Sequence, residues 1–100
     1  MVDYGWMITN DLWAKASGEK SMVGTCGPSS ISADVKYSLQ HGKGIKFRLL
    51  DDDAQVMAEG LQITGDGGED ADFAPLDNLG EATWGCTYMQ QHIDNAWVTL

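Results

Sequence analysis

Short segments in which apolar and polar residues alternate dominate this sequence, and they constrain its fold more than any other feature. Alternation with a period of two is typical of a strand that has one buried face. It occurs over residues 3–9 and 45–49. Residues 55–63 are predicted to form a further strand that is apolar on both faces, as a central strand is, and residues 84–93 and 96–100 to form the two strands of a last hairpin. Turn-forming residues separate these segments, so the chain is predicted to form an antiparallel sheet of about five strands.

One segment, at about residues 30–41, is predicted to be the main helix. Its apolar stripe repeats at every fourth position and consists of Ile31, Val35 and Leu39. Ser29 or Ser30 can cap its amino terminus, and Gly42 can end it in the left-handed conformation. With this helix packed on the sheet, the predicted fold class is α+β, in a single globular domain of residues 1–100.

Residues 65–80 are predicted to lack regular secondary structure. The stretch 65–70 is rich in glycine and acidic residues, which favours a flexible loop. Residues 73–76 should be extended because Pro75 disfavours a helix before it, and residues 77–80 should form a turn.

Two hairpins are predicted from the turn positions. If Asp52-Asp53 is the tip of the first, the cross-strand pairs are Leu49 with Val56, Phe47 with Ala58, and Lys46 with Glu59. If Asp94-Asn95 is the tip of the second, the pairs are Ile93 with Ala96, His92 with Trp97, and Met89 with Leu100.

The second hairpin sorts its side chains into two faces. The apolar face contains Met89, Ile93, Ala96, Val98 and Leu100. The mixed face contains Trp84, Cys86, Tyr88, Gln90, His92, Trp97 and Thr99. Aromatic area beside hydrogen-bonding groups is favoured at recognition surfaces, so a binding site is predicted at Tyr88, Gln90, His92, Trp97 and Thr99. The alternative is that a helix or strand covers this face and Trp97 belongs to the core.

Charge is distributed unevenly along the chain, whose net charge is −9. Residues 1–50 hold all six basic residues and four acids, whereas residues 51–100 hold eleven acids and no Lys or Arg. This balance disfavours direct binding to nucleic acids or to anionic membranes. It is compatible with a solvated acidic surface, or with an acidic regulator that engages a basic protein by imitating a nucleic acid.

No spacing in the sequence predicts a catalytic or metal site. The Cys and His residues lack the close pairs that structural zinc needs, and no cofactor is predicted. A small enzyme that uses Cys26 or His92 stays an alternative, since Cys26 precedes a helix start that can lower a thiol pKa. A weak, irregular cation site is a further alternative, formed by Asp66, Glu69, Asp70 and Asp72.

Several short motifs together resemble small uncharacterised bacterial proteins of the kind carried by mobile elements such as integron cassettes. They are Trp6-x-Ile8-Thr9-x-Asp11, Gly27-Pro28, Phe47-Arg48-Leu49-Leu50-Asp51-Asp52-Asp53, Phe73-x-Pro75-Leu76-Asp77, Gly85-Cys86-Thr87 and Trp97. The resemblance covers nearly the whole chain, and it implies a single bacterial domain without implying an activity or catalytic residues.

The expected function is that of a non-enzymatic binding module for a protein or a small molecule. A start without a basic, apolar leader and a chain with two cysteines favour a reduced, cytoplasmic protein. A homodimer through the mixed face or a sheet edge is an assembly that the sequence allows.

Overall fold

The computed structural model describes residues 2–100 and confirms the α+β class. Its sheet has six strands, all antiparallel, one more than predicted. The strands are β1 (Gly5–Asp11), β2 (Cys26–Gly27), β3 (Ile45–Leu50), β4 (Val56–Ile63), β5 (Tyr88–Ile93) and β6 (Ala96–Thr99). Their order across the sheet is β2-β1-β4-β3-β5-β6, so β2 and β6 are the edges.

Two short helices lie in the first half of the chain, α1 (Leu12–Ser17) and α2 (Ala33–Gln40). The predicted helix at 30–41 is therefore present in shorter form. Its N-cap is Ser32, whose hydroxyl accepts from the Val35 amide, so Ser29, Ser30 and Ile31 precede the helix. Asp11 caps α1 in the same way, with its side chain accepting from the Ala14 amide at 2.8 Å.

The longest helical segment lies where loops were predicted, and this prediction was wrong. Residues 68–84, hereafter the helical segment, comprise α3 (Gly68–Pro75), a π-helical turn (Leu76–Gly80) and α4 (Glu81–Trp84). Pro75 has no N–H to donate to the Ala71 carbonyl, and the Leu76 N–H bonds to Phe73 instead of Asp72. The side chain of Gln62 replaces both donors, because its Nε2 lies 3.2 Å from the carbonyl oxygens of Ala71 and Asp72.

The helical segment covers one face of the sheet and closes the main core. That core joins strand residues such as Ile8, Phe47 and Met89 to Ala74 and Leu76 of the segment. The opposite face is covered only in part. There α2 packs against β1 and β4, and its buried Val35 and Leu39 lie outside the main core cluster.

The predicted register of the first hairpin was wrong by two residues. Leu49 pairs with Ala58, and Glu59 pairs with Arg48 in place of Lys46. The Asp51 carboxylate accepts hydrogen bonds from the backbone amides of Asp53 and Gln55. These bonds lengthen the turn and so shift the pairing of β4 along β3. A shift of two residues keeps Ala58 and Glu59 on their predicted faces, whereas an irregularity between Leu49 and Leu50 pairs Val56 with Leu50 and takes it off the face of Leu49.

The predicted register of the second hairpin is confirmed. Ile93 pairs with Ala96 and His92 with Trp97, while the Leu100 amide donates to the Met89 carbonyl. Asp94 and Asn95 have φ angles of 51° and 65°, as a two-residue type I′ turn requires. Its first strand begins at Tyr88, so Trp84, in α4, and Cys86, which is buried in the main core, do not belong to the mixed face.

Candidate functional site

The part of the sheet that α2 leaves open carries the predicted binding residues. Pairing of β5 with β3 and β6 puts the side chains of Gln90, His92, Trp97 and Thr99 on one face, together with that of Arg48. None of these five residues is buried. We call this surface, made by Lys46, Arg48, Tyr88, Gln90, His92, Trp97 and Thr99, the aromatic half-face.

Trp97 is the centre of the aromatic half-face. Its indole ring lies under the guanidinium of Arg48, with the Arg48 Cζ 4.2 Å from the ring centroid. The His92 ring meets the indole edge-on, with centroids 5.0 Å apart and an interplanar angle of 60°. His92 and Trp97 form a non-hydrogen-bonded pair of the hairpin. In an antiparallel ladder the side chains of such a pair lie closer together than those of a hydrogen-bonded pair.

Hydrogen bonds hold Arg48 in place from a neighbouring strand. Its Nε donates to Oε1 of Gln90 at 2.7 Å, and Nε2 of Gln90 donates to the Thr99 hydroxyl at 2.9 Å. Among residues 2–100, Gln90 is the one partner to which the Arg48 side chain donates a hydrogen bond. Trp97 and Gln90 therefore orient the guanidinium, while its two terminal nitrogens donate to neither of them.

A groove of about 440 Å³ runs beside Trp97 towards the end of α2. Its lining includes Thr9, Gly42, Lys46, Glu59, Leu61 and Trp97. Glu59 is half-buried, and its carboxylate accepts a hydrogen bond from Nδ2 of Asn10 at 2.9 Å. The groove thus combines an aromatic wall, an apolar floor at Leu61, one ammonium group and one carboxylate.

Lys46, Arg48 and Glu59 are site residues that the sequence analysis did not assign. Alternation along β3 already placed Lys46 and Arg48 on one face. What the sequence could not show was that β5 pairs with β3, since that neighbour relation follows from the order of strands in the sheet. The predicted site residue Tyr88 does lie on the same face, two positions from Gln90.

The structure does not bring the other chemical candidates together. Cys26 in β2 and His92 in β5 are separated by three strands, a distance of roughly 19 Å at the usual strand spacing. Burial, with a smaller contribution from the negative charge of Asp51, raises the pKa of Cys86 to about 12, so its thiol is protonated at neutral pH. Within residues 2–100, no three His, Cys, Asp or Glu side chains are arranged to hold a metal ion, and Asp66, Glu69 and Asp70 point to solvent.

Comparisons with family models, with curated proteins and with solved structures each found no match for this chain. The resemblance to mobile-element proteins stays an expectation from the sequence. In the part of the chain that the structure describes, no helix has the length and apolar character needed to cross a bilayer.

Proposed function

We propose that the protein is a non-enzymatic binding module that takes a small organic acid at the aromatic half-face. The observation that supports this most directly is the guanidinium of Arg48, fixed between Trp97 and Gln90 at an open face of the sheet. The adjoining groove, at about 440 Å³, lies within the range of roughly 300–1,000 Å³ that is usual for small-ligand sites.

Charge complementarity selects an acid as the ligand. Lys46 and Arg48 lie two positions apart on the same face of β3. Lys46 lines the groove and Arg48 lies over Trp97, which forms its wall, so two positive charges stand there beside the single negative charge of Glu59. A planar guanidinium is suited to bind a carboxylate through two parallel hydrogen bonds. The apolar body of the ligand would pack on Trp97 and Leu61, and Glu59 would accept a hydrogen bond from a hydroxyl or amine of the ligand.

The proposed setting is the reducing cytoplasm. Cys26 and Cys86 are both free thiols, which supports a reducing compartment. The net charge of −9 supports a ligand that is not a nucleic acid, since acids outnumber bases by 15 to 6 and the aromatic half-face itself holds two basic residues.

A titration with matched acids and amides tests the proposal. Benzoate and indole-3-acetate are added to ¹⁵N-labelled protein beside benzamide and indole-3-acetamide, and the side-chain NMR signals of Arg48 Nε and Trp97 Nε1 are followed. We expect the acids to shift both signals and the neutral amides to leave them unchanged, because only the acids can pair with Arg48.

Variants locate the binding. Arg48→Gln and Trp97→Ala should each lower the affinity for the acids at least tenfold, since each removes one support of the site. Trp13→Ala is the matched control, because Trp13 is exposed by 42% and lies in α1, outside the groove. Shifts at Trp97 Nε1 that are equal for acids and amides, or that survive Arg48→Gln, contradict the proposal.

An acidic regulator of a basic protein is a second candidate, favoured by the position of the acids. The helical segment exposes Glu69, Asp70, Asp77 and Glu81 and contains no basic residue. Its test is association with poly-lysine, followed by calorimetry at several NaCl concentrations, for wild type and for Asp77→Asn combined with Glu81→Gln. We expect affinity that falls steeply with salt and is lower for the variant; salt-independent binding contradicts this candidate.

A further inference from the structure

Strand β6 is a sheet edge without the usual protection against pairing. Natural edge strands carry charges, prolines or bulges that prevent contact with another strand. Residues 95–100 contain no charged side chain and no proline, and β5 and β6 pair without a bulge. The other edge is different, since β2 has only two residues and Pro28 follows it directly.

The outward-facing backbone groups of β6 can be identified from its pairing with β5. The Leu100 amide bonds to the Met89 carbonyl, so positions 96, 98 and 100 direct their N–H and C=O groups towards β5. Trp97 and Thr99 alternate with them, so their N–H and C=O groups point away from the sheet. Within residues 2–100, no strand pairs with this outer side of β6.

We propose that β6 pairs antiparallel with β6 of a second copy of this chain, forming a homodimer with one continuous twelve-stranded sheet. A two-fold axis at Val98 would let Trp97 exchange both backbone hydrogen bonds with Thr99 of the second copy, and Thr99 with its Trp97. All four outward groups of each strand are then satisfied.

Self-complementarity is the reason for choosing a second copy as the partner. The axis puts Val98 directly opposite itself as a non-hydrogen-bonded pair, the arrangement with the closest side chains. Val98 is exposed by 43%, a high value for an apolar strand residue, and the pairing would cover it. Residues 95–100 carry no charged side chain, so the pairing places no like-charged side chains opposite each other.

The proposed dimer would also bring two aromatic half-faces side by side. Trp97 and Thr99 of opposite copies would be direct neighbours on that face of the extended sheet. The pairing uses backbone groups and Val98, so it does not depend on ligand binding, and either proposal can fail without the other.

Sedimentation equilibrium over a range of protein concentrations tests the dimer. Wild type should rise from 10.9 kDa towards twice that mass, about 22 kDa. Thr99→Pro removes an outward N–H and leaves the backbone bonds to β5 in place, so it should stay monomeric. Thr99→Val is the matched control, because it loses the hydroxyl and its contact with Gln90 yet keeps the N–H; it should still dimerise.

Val98→Lys separates a lost interface from a lost fold. The exposed lysine keeps every backbone donor but places like charges opposite each other, so this variant should be folded by circular dichroism and monomeric. The proposal would be overturned if wild type were monomeric at every concentration. It would also be overturned if both Thr99→Pro and Val98→Lys still formed dimers.

A disulfide trap tests the register. In a Cys26→Ala background, Val98→Cys should form an intermolecular disulfide under mild oxidation, because paired Cα atoms lie about 4.5–5.5 Å apart across an antiparallel ladder. Ile93→Cys, at a position exposed by 40%, is the control and should not crosslink. Equal crosslinking at both positions would exclude an axis at Val98.

Discussion

The thiol of Cys86 shows how the fold changes the chemistry of a single residue. Burial, and to a lesser extent the charge of Asp51, raises its pKa from 9.0 to about 12. Folding therefore favours the protonated thiol, and this contribution to stability is complete below about pH 9 and is lost as the pH rises towards about 12.

We expect the free energy of unfolding of wild type to fall more steeply between pH 9 and pH 11 than that of Cys86→Ala. Urea denaturation of both proteins across this range measures the difference. Cys26→Ala serves as the control, since Cys26 lies at the sheet edge and is only half-buried. Parallel curves for wild type and Cys86→Ala would show that the thiol does not titrate in this way.

The sequence predicted individual residues well only where local chemistry decides their position. Tyr88, Gln90, His92, Trp97 and Thr99 share a face as predicted, because a two-residue turn fixes the whole hairpin register. Arg48 was missed as a member of this site, since its contact with Trp97 depends on the pairing of β3 with β5, whose paired residues are far apart in the sequence.

At the scale of elements, the helical segment depends on a side chain from another element. Gln62 is 1% exposed and donates to the two carbonyls that Pro75 and the turn after it leave without a helical donor. Gln91 in turn donates to Oε1 of Gln62 at 3.1 Å. A composition of glycine, acids and proline predicts a loop, and no local pattern reveals that a strand residue compensates for the proline.

This dependence predicts energetic coupling between Gln62 and Pro75. Gln62→Leu should lower the free energy of unfolding by about 2–4 kcal/mol, since it leaves several buried polar groups unpaired. In a Pro75→Ala background the new amide can donate to Ala71, so the same substitution should cost about 1 kcal/mol less. Urea denaturation of the four proteins gives the coupling energy, and additive effects would contradict the compensating role of Gln62.

The turn of the second hairpin offers a prediction with the opposite sign. Asn95 has a φ angle of 65°, which glycine adopts at less cost than any residue with a Cβ. Asn95→Gly should raise the stability by roughly 0.5 kcal/mol, because Asp-Gly is a preferred type I′ turn sequence. Asn95→Ala is the control and should lower the melting temperature; a lower value for Asn95→Gly as well would argue against this turn type.

At the scale of the whole molecule, the fold places the two basic residues of β3 and the acidic helical segment on opposite sides of the sheet. Lys46 and Arg48 lie on the aromatic half-face, whereas the acids of the helical segment lie on the opposite side of the sheet. The sequence showed an excess of acids in residues 51–100. It could not show this segregation, because the strand order decides which side of the sheet each segment covers.

The charge of the helical segment predicts how stability responds to salt. Glu81 lies in its last turn, where the helix dipole favours positive charge, and four positions after Asp77. Glu81→Lys should therefore stabilise the protein by about 0.5–1 kcal/mol at low ionic strength, through the dipole and an opposite-charge pair with Asp77.

Glu69→Lys, in the first turn of α3, is the matched control and should destabilise the protein. Both effects should shrink as NaCl screens the charges, in urea denaturation at low and high salt. Equal changes in stability for Glu81→Lys and Glu69→Lys would contradict this prediction. They would mean that the net charge of the protein, and not the direction of the helix dipole over residues 68–84, determines the effect.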